Sequence, residues 1–163
     1  MKIVKPLVCL ALSATSFGTV ASSEQLLGAW QCSSVLPISW LDALSIYSPD
    51  GSFKGVANSV TQTNVNDRVV EFDLYADGSW SLNGNVLVTD IESIEVIPKN
   101  LQAEKGIEAI TEAVNQPSIL HSELEVTLLT RDSLQTKSKD GVVDNCRRVI
   151  SASELKSKSE QPI

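Results

Sequence analysis

The chain has 163 residues, 42% of them apolar, and a formal charge of −7 from 13 basic and 20 acidic side chains. That length suits one domain around a single core, and the acidity argues against nucleic acid and anionic membranes as partners. With one histidine and three cysteines, no paired-histidine metal motif is available, and any histidine-dependent chemistry rests on a single residue.

Residues 1–22 read as an export signal. Lys2 and Lys5 give a positive start, residues 6–14 form a short apolar run, and small residues follow up to Ala21 and Ser22, either of which suits cleavage. The run is too short to span a bilayer, which needs about 20 residues. Cys9 lies inside it and leaves with it. Removing two lysines and no acid takes the charge to 11 − 20 = −9. The expected location is the periplasm or the medium, with no stable membrane insertion. Residues 23–150 then form one domain, and the polar residues 151–163 a flexible tail. Cys32 and Cys146 are the remaining cysteines, 146 − 32 = 114 positions apart. In an oxidising compartment such a pair reads as a disulfide; two buried free thiols are the alternative.

A short helical turn over 24–27 leads into a first strand over 28–34. Residues 36–41 contain Pro37 and Trp40 and read as a connection. Strands follow over 43–48 and 53–62, separated by Asp50-Gly51, and then over 68–75, where Val70, Phe72 and Leu74 alternate with Glu71 and Asp73. That period of two marks a sheet with one wet face. Asp77-Gly78 and Asn83-Gly84 read as tight turns around a short strand at 79–82. In the strand over 85–97 the alternation slips near Ile91 to Glu95, as a bulge would cause. Residues 101–116 then place Leu101, Ala103, Ile107, Ile110, Ala113 and Val114 at helical spacing. Gly106 weakens that helix and Pro117 ends it. Strands resume over 123–130, 134–139 and 142–150, the last two joined by Asp140-Gly141.

A helical turn, Gly28-x-Trp30 opening the first strand, and a meander of about eight strands resemble the lipocalins and bacterial lipocalin-like domains. The resemblance spans residues 24–150 in pattern. It implies an antiparallel up-and-down β-barrel whose first and last strands meet, with one inserted helix over 101–116. Gly28, Trp30 and a basic residue after Cys146 would be structural, Arg148 (or Arg147) stacking on Trp30. Meeting of the end strands would also bring Cys32 to Cys146. The helix departs from the family's usual order, since it interrupts the meander instead of following it. The resemblance implies a carrier of small apolar molecules.

No catalytic set emerges. His121 sits beside Ser122 and Glu123, but neighbours on a strand face opposite ways and form no relay. Asp90, Glu92 and Glu95, like Glu71 and Asp73, read as solvated outer faces rather than a carboxylate pair for glycoside hydrolysis. Asn64, Asn66 and Asp67 make only a thin calcium loop. No enzyme activity, cofactor or metal is expected. Trp40 and Leu41, in an irregular loop, and Trp80 are the candidate contacts for a ligand or partner. The leading expectation is an exported non-catalytic protein that binds a small apolar ligand. The alternative is a periplasmic protein-binding module with a basic partner, an inhibitor or immunity protein against a cell-envelope-active toxin or enzyme.

Overall fold

The structure is a computed structural model, and it describes residues 21–35, 39–63, 69–151 and 154. The chain is mainly β. After the single-turn helix α1 (Ser23–Leu26) come β1 (Gly28–Val35), β2 (Ser39–Tyr47), β3 (Ser52–Gln62), β4 (Val69–Asn83) and β5 (Val86–Pro98). Three short helices follow, α2 (Leu101–Lys105), α3 (Ile107–Val114) and α4 (Pro117–Leu120), then β6 (His121–Leu129), β7 (Ser133–Lys137) and β8 (Val143–Ser151). The eight strands pair in chain order, all antiparallel, and β8 returns to β1 to close a barrel. This is the closed antiparallel up-and-down barrel expected from Gly28-x-Trp30 and the strand meander.

Closure is covalent as well as hydrogen-bonded. Cys32 and Cys146 are direct partners in the β1–β8 ladder and form a disulfide. Arg148, the partner of Trp30 in the same ladder, lies over its indole at 4.1 Å from the ring centre. Its guanidinium donates to the carbonyls of Gln25, Leu27 and Arg131, tying α1 to β8 and to the β6–β7 turn. Trp30 itself is fully buried and donates its Nε1–H to the carbonyl of Leu26 at 2.7 Å. One planar cation thus closes the lower end of the barrel, where α1 sits.

Three sequence expectations need correction. Asp77-Gly78 is no turn: β4 runs straight through it, and the register against β5 shifts there instead. The reason is a close approach. A Cβ on Gly78 would lie 2.1 Å from the carbonyl oxygen of Asp90, so only glycine lets the two backbones meet at this bulge. The slip in alternation near Ile91 is the other side of the same bulge. The other three turn signals hold, and Gly51, Gly84 and Gly141 have positive φ. Second, β2 begins at Ser39, so Trp40 and Leu41 are strand residues, with 36–38 outside the described residues. Third, the helix over 101–116 is broken. Gly106 ends α2 and opens α3, and Asn115 ends α3 ahead of Pro117, which takes the first turn of α4, where its missing N–H costs nothing. Among the described residues no helix is long and apolar enough to cross a membrane.

Candidate functional site

Residues directly opposed in an antiparallel ladder point to the same side, so the register assigns the interior from buried Trp30 outward. Working up the barrel, the inward rows across β1 to β5 are Gly28–Tyr47–Phe53–Gly78–Ile91, Trp30–Ser45–Gly55–Ala76–Ile94, Cys32–Ala43–Ala57–Leu74–Val96 and Ser34–Leu41–Ser59–Phe72–Pro98. The two ends of the barrel differ. In the lower half Leu26, Trp30, Tyr47, Phe53, Leu87, Val126, Leu134 and Cys146 form one buried cluster. Tyr47 joins it with its ring 5.6 Å from Phe53 and 5.5 Å, edge-on, from Trp80. Aromatic pairs of this geometry add about 0.5–1.5 kcal/mol each beyond area burial. The lower half is packed solid.

The upper half is not. Leu41, Ala43, Phe72, Leu74, Ile94 and Val96 point inward yet are only half-buried. Strand lengths explain the contrast. β6 pairs with β5 only from Val86 to Asp90, leaving Ile91–Pro98 without a strand partner on that side. The helices stand there instead: α2 packs on β4, α3 and α4 on β5, with Ala103 and Val114 buried in the contact. The side chain of Asn100 caps α2 by accepting from the Ala103 N–H at 2.9 Å and donates to the carbonyl of Val69 at 3.0 Å. The helical segment is therefore a piece of wall pinned to the start of β4.

Polar groups sit at the boundary of the two halves. Thr89 and Thr136 are buried there, and Ser59 is buried one row above the disulfide level. Asp144 is opposite Thr136 and two residues from Cys146, so it faces inward, and it accepts a hydrogen bond from the Ser34 hydroxyl. The Tyr47 hydroxyl is pushed up to about 12, first by burial, and further by the negative charge of Asp144; its hydrogen bond with Ser45 acts the other way. The interior of the upper half is thus apolar, edged with hydroxyls and one carboxylate.

The sequence-derived candidates are not brought together. Leu41 lines the upper interior. Trp40, its neighbour, faces outward and is 47% exposed, opposite Val60 in the β2–β3 ladder. Trp80 belongs to the packed lower half and donates its Nε1–H to the Ser48 carbonyl at 3.0 Å. Phe72 and Leu74 are legible as one face of an alternating strand, but nothing local says that this inward face stays only half-buried. The inward aim of Asp144 follows from its spacing of two from Cys146, a signal available once the disulfide is accepted.

On the outside, Ser33, Asp42, Asn58, Asp73 and Ile97 form a row. Asn58 donates to Asp73 at 3.0 Å and Lys99 reaches it at 2.9 Å, and these two partners, Asn58 first, hold its carboxyl below the usual range. His121 opens β6 on the outer surface, with Nδ1 2.6 Å from Asp90 and Nε2 3.6 Å from Glu123. Its imidazole is raised above the ordinary value, first by the hydrogen bond to Asp90. Ser122 points the other way, into the barrel, so the three neighbours form no relay. Asn64, Asn66 and Asp67 lie outside the described residues.

No protein-family model matches the sequence, and no curated protein does. Among solved structures, the chain is similar to a lipocalin-like protein from Bacteroides uniformis ATCC 8492, at 15% identity and a TM-score of 0.39, over 77% of this chain and 99% of that one.

Proposed function

We propose that the protein is an exported, non-catalytic carrier that holds a small apolar molecule in the upper half of its barrel. The observation that carries the proposal is the contrast between the halves: the same alternating strands bury their inward side chains below and leave Leu41, Phe72, Leu74, Ile94 and Val96 half-buried above. Apolar surface turned inward and left partly uncovered is what a ligand of this kind would bury, at about 25 cal/mol per Å². Removal of residues 1–22 and the Cys32–Cys146 crosslink fit an oxidising compartment outside the cytoplasm.

The test uses N-phenyl-1-naphthylamine, a neutral apolar fluorophore that brightens on leaving water. Wild-type protein is expected to raise and saturate its emission. Leu74→Trp, which adds bulk to the upper interior, should abolish the signal while leaving the free energy of urea unfolding within about 1.5 kcal/mol of wild type. No emission change with wild type, or undiminished binding by L74W, sinks the carrier reading.

One observation favours a second reading, a module that binds a basic protein. The outer face of β2–β5 exposes Trp40, Val56, Val69, Tyr75 and Ile97 among Glu71, Asp73, Asp77 and Glu95. Affinity capture from the source cells, with mass spectrometry of both proteins and extracted lipids, separates the two. A stoichiometric basic protein lost on Trp40→Ala supports the module; a lipid-sized molecule without a protein supports the carrier.

A further inference from the structure

We propose that the molecule held in the upper barrel carries a protonated amine at its inner end, received by Asp144. The inference rests on the carrier reading above and specifies its ligand. Among the described residues Asp144 is the carboxylate that the register turns into the barrel beside the hydroxyls of Ser34 and Thr136. Its hydrogen-bond partner is Ser34, a neutral hydroxyl, and among the described residues no ion pair reaches it.

The two nearest cations of its own strand are committed elsewhere. Arg147 alternates to the outer face opposite Gln31, and Arg148 lies over Trp30 with its guanidinium on three carbonyls. A carboxylate set beside the Ser34 and Thr136 hydroxyls, with no cation on it, is left with acceptor capacity that neutral groups do not match. An incoming ammonium offers three donors and the opposite charge. A carboxylate-headed ligand would meet repulsion at the same place, and an alcohol only a neutral hydrogen bond. The alkyl part would lie against Leu41, Phe72, Leu74 and Val96.

The experiment compares three ligands of one chain length, dodecylamine, dodecanol and dodecanoate, as competitors of N-phenyl-1-naphthylamine at pH 7 on the full mature protein. The amine should displace the fluorophore at a concentration at least about tenfold below the alcohol, the worth of a charge-assisted hydrogen bond, and the carboxylate should be the weakest. Asp144→Asn should erase the preference of amine over alcohol. Glu95→Gln, which removes one charge from the outer face, should keep it, separating a local contact from the pull of an acidic protein. Equal displacement by amine and alcohol, or a preference that survives D144N, overturns the inference while the carrier stands. Fluorophore binding absent in wild type overturns the carrier reading and the inference with it. The comparison of the three ligands on wild type holds even where D144N does not fold.

Discussion

Reducing the Cys32–Cys146 disulfide tests how this barrel is closed. The bond joins residues 114 positions apart, nearly the whole described domain. In the chain-entropy view a crosslink stabilises by restricting the unfolded chain, and for a loop of this length the gain is about 5 kcal/mol at 25 °C. Domains of this kind have about 5–15 kcal/mol in total, so reduction should remove a third or more of the stability. With a urea dependence of about 2 kcal/mol per M, the unfolding midpoint should fall by about 2–3 M. The ladder persists on both sides of the bond, Trp30 opposite Arg148 and Ser33 opposite Asn145, so the native fold should survive reduction in the absence of urea. Two further signs follow. The m-value should rise, because the reduced unfolded chain expands, and the loss should appear mainly as slower folding, because closing β1 on β8 is the longest-range event in the barrel. The assay is urea unfolding followed by tryptophan emission, with and without dithiothreitol, after the crosslink has been verified by mass. A midpoint shift under about 0.5 M would refute the reasoning.

Arg148→Ala should cost about 2–4 kcal/mol by thermal melt, from the lost stacking on Trp30 and three carbonyls left without their donor; Arg148→Lys should restore less than half, because an ammonium cannot reproduce the planar fork. Two glycine substitutions should separate crowding from backbone strain. Gly84→Ala, at φ +66° with nothing near its Cβ, should cost about 1 kcal/mol; Gly78→Ala, whose Cβ would strike the Asp90 carbonyl, should cost about 3 kcal/mol or more in urea unfolding. The His121 pKa is raised in the folded state by Asp90, so its contribution to stability is present in full below the unfolded value of about 6.5 and is lost as pH rises through the folded value. Urea midpoints measured across that window should therefore drift downward with pH in wild type, and Asp90→Asn should flatten the drift; an NMR titration placing His121 at or below the unfolded value would contradict this.

Much of the fold is written in local signals. Asp50-Gly51, Asn83-Gly84 and Asp140-Gly141 mark real corners, and the alternation of Val70, Phe72 and Leu74 marks a true inner face. Asp77-Gly78 misleads because the same dipeptide serves two purposes. Its glycine supplies either a positive φ or room for a neighbouring backbone, and only the position of Asp90 decides between them. Trp40 and Leu41 misled in a similar way: Pro37 hides that the strand restarts at Ser39. The candidate site was less legible. Trp80 and Leu41 are both large, apolar and inward, yet one is packed among aromatics and the other half-covered. That difference depends on how far the strands across the barrel extend, which no local pattern records.

Uneven strand length is what links this architecture to a function. β3, β4 and β5 run for 11, 15 and 13 residues, whereas β6, β7 and β8 run for 9, 5 and 9. A barrel whose strands all ended together would fill with side chains from every side, as its lower half does. Here the long strands outreach the short ones, and their inward Phe72, Leu74, Ile94 and Val96 face helices and solvent rather than a facing strand. The helical insertion answers only part of this. It covers the unpaired length of β5 through Val114 and reaches β4 through Ala103, and it rejoins the barrel at His121, halfway down. Above Asp144 and the short β7 no strand rises to meet the opposite wall among the described residues. The half-buried apolar side chains of β4 and β5 and the inward carboxylate of β8 therefore stand on well-separated strands of one barrel, and the proposed ligand, with an apolar body and a cationic end, would have to reach both at once.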